Sequence, residues 1–152
     1  MGNSLGDFFE EEDKELFAER VVKIGTIIRR FETSTTPNKY KFSIVVGESE
    51  DKLVVARVLV NSKINPQIYN SIELQNLHIG LDDVDYDCLD HYSYANCSSV
   101  KEMNKADLIQ EIKSVPDIHK EELNTSDLNA VIETLKKSKT IKPYIKTRYG
   151  WI

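Results

Sequence analysis

Three residues carry the most suggestive chemistry in this chain: Lys41, Asn61 and Ser62. Lys41 opens an apolar run over residues 42–46, and Asn61-Ser62 closes another over residues 53–60. Between the runs lies the polar stretch Gly47-Glu48-Ser49-Glu50-Asp51-Lys52. Two apolar runs joined by a short turn predict an antiparallel hairpin. Such a hairpin brings its first and last residues to the same end of the ladder. A cation and a hydroxyl meeting there can hold a phosphodiester. The cation stabilises charge developing on the phosphate, and the hydroxyl positions it. Lys39, Arg57 and Lys63 flank the trio and are candidate contacts for a phosphate backbone. A purely structural reading makes Lys41 a solvated edge charge and Ser62 a turn former.

Other constellations are less complete. Asp83-x-Asp85-x-Asp87 begins like a calcium loop, but Cys88 takes the place of the turn glycine and Tyr94 that of the bidentate glutamate. His78, His91 and His119 show no metal-ligand spacing. Neither a metal nor another cofactor is expected. His91 follows Asp90, and the two could form an acid–base pair, but neighbours in a strand face opposite ways. Cys88 and Cys97 lack Cys-x-x-Cys spacing and read as free thiols in a reducing cytoplasm. A Cys–His nucleophile rests on residue types alone. No phosphate-binding glycine loop or nucleophile-elbow motif occurs.

The elements that must position these residues follow in chain order. Residues 5–21 predict an amphipathic helix with Phe9, Leu16, Phe17 and Val21 on one face and Ser4 as its cap. Gly25 interrupts or ends it. Residues 26–31 read as a strand, and residues 33–38 as a loop. The hairpin is next, with Val45, Val55, Val58 and Leu59 as expected core. Residues 66–71 suggest a helical turn, and residues 74–81 and 88–98 suggest the last two strands. From Asn104 the period becomes helical. Leu108, Ile109 and Ile112 mark one helix, ended by Pro116. Leu128, Val131, Ile132 and Leu135 mark a second, capped by Thr125. The expected fold class is α+β, a small β-barrel of about five strands with an N-terminal helix and a C-terminal helical extension. The organisation reads as an N-terminal helix (1–21), a barrel (22–100), C-terminal helices (101–138) and a basic aromatic tail (139–152).

The ordered series Val22-Lys23-Ile24-Gly25-Thr26-Ile27, Lys41-Phe42-Ser43-Ile44-Val45-Val46-Gly47 and Val58-Leu59-Val60-Asn61-Ser62 resembles the PemK/MazF-like toxin family. Asp87-Cys88-Leu89-Asp90-His91-Tyr92-Ser93-Tyr94 looks like the closing barrel strand of more distant relatives. The resemblance spans roughly residues 22–100. It implies an SH3-like barrel, often a homodimer, and metal-independent endoribonuclease activity that uses the RNA's own 2′-hydroxyl. It also implies a toxin–antitoxin or defence setting, with RNA and an antitoxin as partners. The family's catalytic Arg falls on Lys41, and its Thr/Ser on Asn61 or Ser62. Lys41-Phe42 stands where the family has Arg-Pro. The competing expectation is a non-catalytic barrel that binds a protein partner as an inhibitor or regulator.

The bulk properties bound these readings. The chain has 152 residues and a formal net charge of −5. Residues 41–100 carry nine acidic and four basic side chains, whereas residues 136–152 carry six basic and no acidic ones. An acidic middle attracts phosphate backbones poorly, and a basic tail attracts them better. In that tail Lys139, Lys142, Lys146 and Arg148 alternate with Tyr144, Tyr149 and Trp151. Docking on the chain's own acidic barrel is the expected role of this segment. No apolar run is long enough to span a bilayer, and the acidic N-terminus lacks signal-peptide character. The expected location is cytoplasmic.

Overall fold

The computed structural model describes the backbone of residues 4–152 and the side chains from residue 11 onward. The expected roles of Ser4 and Phe9 lie outside the described side chains. The fold is α+β: a curled antiparallel sheet with helices on both faces.

Three long strands form the centre: β1 (Thr26–Glu32), β2 (Lys39–Glu48) and β3 (Val54–Asn61). The hairpin expected over residues 40–62 is β2–β3. Side chains alternate in direction along a strand, and here both directions are buried. Ile27, Ile44, Val46, Ala56, Val58 and Val60 enter one core, while Ile28, Val45 and Val55 enter another. Burial on both faces explains why these strands read as continuous apolar runs. Leu59 is only half-buried.

Helix α1 (Ser4–Val21) and helix α3 (Lys105–Ser114) cover the second core, with Ala18, Val21, Leu108 and Ile112 against the sheet. Leu16, expected on the apolar face of α1, is exposed, and Ala18 takes the buried position. Asn104 caps α3 by accepting from the Asp107 amide. Helix α4 (Thr125–Lys137) covers the first core with Val131 and Leu135 fully buried and Leu128 and Ile132 half-buried beside them. Its cap is Asn124 rather than Thr125.

The short helix α2 (Ile72–Gln75) precedes β4 (His78–Leu81), which pairs with β5 (Ser93–Asn96). Strand β3 serves two neighbours on one edge. Val54–Arg57 pairs with β6 (Lys101–Asn104), and Val60–Asn61 pairs with β5. Two partners on one edge force the sheet to curl. The last strand, β7 (His119–Glu122), pairs with β1. Among the described residues the sheet therefore has seven strands, not about five: six along an open path from β4 to β7, and β6 beside β3. Strands β6 and β7 come from the segment expected to be helical. Their sequences, KEMN and HKEE, are polar because both are edge strands, and they carry no apolar alternation.

The basic tail is docked. Ile141, Ile145 and Trp151 join the first core, and residues Pro143–Tyr149 form helix α5. Pro143 opens it, and Gly150 closes it with φ 75°. A bulge between Val45 and Gly47 turns Gly47 toward the tail. A Cβ there would lie 2.8 Å from Tyr149 Cδ1 and 2.9 Å from Trp151 Cζ2. Only glycine lets those stacked rings close on β2. The tail's ion pair goes to Glu102, which accepts from Arg148 and from the Tyr149 hydroxyl, and not to the 82–90 loop. Lys146 donates to the Lys136 carbonyl at 2.7 Å and so caps the end of α4.

Trp151→Ala is expected to cost about 3–5 kcal/mol of unfolding free energy in urea titration, the usual range for emptying a buried tryptophan site. Tyr144→Ala, on the exposed side of α5, is expected to stay within about 0.5 kcal/mol of the parent.

Candidate functional site

The ends of β2 and β3 and the loop before β5 enclose a concavity of about 170 Å³. Lys39, Lys41, Asn61 and Ser62 line it, together with Asp90, His91 and Ser93. The ladder explains the first group. β2 and β3 pair in register up to Ser43 opposite Leu59, so the residues just beyond that pair share one end. Lys41 Nζ donates to Asn61 Oδ1. That bond fixes the carboxamide and leaves its Nδ2 as the end able to donate to a ligand. Ser62 is exposed at the rim.

Lys41 is half-buried, and its pKa lies below the ordinary lysine value. Burial is the main cause, neighbouring Lys39 adds to it, and Glu32 opposes it. Two lysines and an amide thus converge on a partly dehydrated spot. A phosphate placed there would meet a cation less masked by water than a surface lysine.

The loop from β4 to β5 supplies the other wall. It is pinned where it leaves the acidic stretch. Tyr86 is buried, and its hydroxyl donates to Asp127 Oδ2 at 2.5 Å and accepts from the Asn124 amide at 3.1 Å. Leu89 enters the core, and the Cys88 amide donates to Glu121 Oε2 at 2.8 Å. Ser93 Oγ donates to the His91 carbonyl at 3.0 Å. Tyr92 lies across Gly80, where a Cβ would be 2.0 Å from its hydroxyl oxygen. These anchors hold Asp90 and His91 in a bend rather than in a strand. Sequential neighbours can meet in a bend, and Asp90 Oδ1 contacts His91 Nδ1. With Nδ1–H given to the carboxylate, Nε2 is the basic nitrogen. The sequence names this pair, and only the strand expected over residues 88–98 argued against it, since strand neighbours face opposite ways. Its sequence signal was Asp90-His91 two residues before a serine.

The flanking candidates separate. Lys39 lines the concavity; Lys63 is exposed and outside its lining. Arg57 is a correction: it does not face solvent and cannot contact RNA. Only 3% exposed, it donates from Nη1 to Glu32 Oε2 and to Ser43 Oγ, each at 2.7 Å, and from Nη2 to Glu32 Oε1 at 3.2 Å. Arg30 adds a bond to Glu32 Oε1 at 3.2 Å and grips Glu111 of α3 through two bonds of 2.8 Å. A guanidinium in mid-strand between two apolar faces is buried with the strand, and the chain supplies its carboxylate.

The remaining candidates are structural. Burial pushes the Cys88 and Cys97 thiols up to about 12, with Glu121 adding to the effect at Cys88. Neither is a thiolate nucleophile near neutrality. His78 is buried edge-on against Tyr69, with centroids 4.2 Å apart, and Nδ1 is bonded to the Leu74 carbonyl at 3.1 Å. His119 packs edge-on against Phe17 at 5.4 Å. Asp82 accepts from the Val84 amide as a turn former. Among the described residues, no group of three or more His, Cys, Asp or Glu side chains could hold a metal ion, and no helix is long and apolar enough to cross a membrane. No family model matches the chain, and no curated protein matches it.

Glu32→Gln is expected to cost about 3–5 kcal/mol in chemical denaturation, because it strands the buried Arg57 charge. Lys39→Ala, at the exposed rim, is expected to change stability by less than about 0.5 kcal/mol. Burial also lowers the pKa of His78 and of His119 below 6.5. Their stabilising contribution is present above the unfolded value and is lost as pH falls through the folded one. Stability should therefore decline as pH drops below 6.5, and less steeply in His78→Phe, measured by denaturation at stepped pH.

Proposed function

We propose that this chain is a metal-independent endoribonuclease of SH3-like barrel type, akin to the PemK/MazF-like toxins and acting in a toxin–antitoxin or defence setting. One observation carries the reading: Lys41, Asn61 and Ser62 line the same small concavity as the His91–Asp90 pair. A base, a cation and neutral donors together meet the needs of RNA transesterification. His91 Nε2 takes the proton of the 2′-hydroxyl. The 2′-oxygen attacks phosphorus and displaces the 5′-oxygen, which takes a proton from water. The products are a 2′,3′-cyclic phosphate and a free 5′-hydroxyl. Lys41 and Asn61 stabilise the charge on the phosphoryl oxygens, and Ser62 at the rim positions the phosphate. Asp90 keeps the imidazole oriented.

Lys41 in place of arginine fits this geometry. A guanidinium offers a planar fork, whereas an ammonium is a point charge that needs a second donor to fix direction. Asn61, already bonded to Lys41, supplies it. A second reading, a non-catalytic barrel engaging an antitoxin or another protein, draws on Ile68 and Ile72. Both are exposed on the segment between β3 and β4, 63% and 70% accessible respectively.

The test is incubation of the purified chain with mixed single-stranded RNA in EDTA, followed by end-group analysis. Cleavage leaving cyclic phosphate ends is expected. Lys41→Ala should slow it by about 10²–10³-fold and His91→Ala by about 10²–10⁴-fold. Equal decay in all samples, or none in any, overturns the nuclease and leaves the protein-binding barrel.

A further inference from the structure

Tyr40 lines two concavities. One is the site just described; the other, about 440 Å³, lies between the outer ends of β1 and β2 and the C-terminal turn of α3. Phe31 and Tyr40 form one wall of this second concavity, and Gln110, Glu111 and Ser114 belong to the other. We propose that it is a nucleobase subsite, receiving the base next to the scissile phosphate of a single-stranded RNA. This inference rests on the phosphodiester reading of the adjoining site and names the part of the substrate that site leaves unheld.

Four observations carry it. First, Phe31 and Tyr40 are large aromatic side chains left 45% and 58% exposed. They are neighbours across the β1–β2 ladder, with ring centroids 5.2 Å apart and planes at 72°. One ring therefore braces the other while both keep exposed surface that a base can cover. Second, the charges of this concavity are already paired, Arg30 on Glu111 through two bonds of 2.8 Å. A second phosphate would find no free cation in that pair, whereas a neutral base loses nothing by entering. Third, Gln110 and Ser114 sit one helical turn apart at the exposed end of α3, joined by a long 3.4 Å bond. An amide and a hydroxyl so weakly engaged can exchange that bond for the donors and acceptors of a base edge. Fourth, Arg29 lies over the Tyr40 ring at 4.9 Å and near Phe42 at 6.0 Å, and Phe42 lines the phosphate site. A cation held over Tyr40, which lines both concavities, suits a backbone that runs from one to the other.

The division of labour is then specific. Tyr40 supplies stacking that tolerates any base, and Gln110 with Ser114 supplies discrimination. The experiment measures equilibrium binding of four fluorescent 2′-O-methyl homopolymer decamers, which cannot be cleaved, at fixed salt. Tyr40→Ala should weaken all four by about 5- to 150-fold, and Tyr40→Phe should restore them. Gln110→Ala should change the ranking of the four with little change in their mean affinity. Unaltered affinity in Tyr40→Ala, an unaltered ranking in Gln110→Ala, or no binding by the parent chain overturns the subsite. Cleavage of unmodified RNA by the same variants separates the two readings. Lys41-dependent cleavage with Tyr40-independent binding sinks the subsite and leaves the nuclease. Tyr40-dependent binding without cleavage sinks the nuclease and leaves a base-binding cleft.

Discussion

Over residues 43–47 of β2 and 55–58 of β3 the ladder has no solvent face. Ile44, Val46, Ala56 and Val58 point into one core, and Val45 and Val55 into the other. A ladder buried on both sides must be covered on both sides, because each exposed valine or isoleucine would forfeit about 1.5–3 kcal/mol of transfer free energy. The remaining elements follow from that demand. Helices α1 and α3 close one face; helix α4, the docked tail and the Tyr86–Leu89 loop close the other. Even the glycine at position 47 belongs to this constraint, since the rings of Tyr149 and Trp151 occupy the space of its missing side chain.

The same ladder becomes polar toward one end. Beyond the apolar stretch, β1 to β3 carry Arg30, Glu32, Lys41, Ser43, Arg57 and Asn61. Deep in the fold Glu32 and Ser43 accept from Arg57, whose Nε is left without a partner among the described residues, and nearer the surface Glu111 accepts from Arg30. At the open end the pairing is incomplete. Lys41 has an amide rather than a carboxylate for a partner, and burial with Lys39 holds its pKa down. A cation with a neutral partner keeps its charge available to an anion, whereas a cation paired with a carboxylate does not. That difference separates the site from the buried network behind it. It also explains how a chain with an acidic middle can leave one half-buried cation without a carboxylate partner: Glu32 is spent on two arginines.

The loop between β4 and β5 joins the core to the candidate site. Tyr86, Cys88 and Leu89 fasten it to α4, β7 and the core. The two residues that follow bend out over the ends of β2 and β3. The Asp82–Asp90 region thus contributes one carboxylate that orients an imidazole, and its other acids form turns and solvated surface.

Much of this architecture was legible in the sequence. Apolar runs over residues 42–46 and 53–60 with a polar turn dictate a hairpin, and the period of Leu128, Val131, Ile132 and Leu135 dictates α4. Both signals are local, since burial of one element's face writes its own spacing into the chain. The shared end of the hairpin also followed, because antiparallel pairing alone brings Lys41 to Asn61. Strands β6 and β7 did not follow. Their residues are polar edge residues whose only strand determinant is the backbone of β3 or β1. Arg57 reads as a surface cation until Glu32, 25 residues away, is placed beside it. The tail has no period, yet three of its apolar residues are buried, because its fit depends on a cavity over Gly47 that other elements create. Asp90 and His91 are adjacent in the chain, but whether they meet depends on the bend that Tyr86, Leu89 and Ser93 impose. Spacing determines what one element does with its own faces. Which groups from different elements share a site is decided only when the core fixes the distances between them.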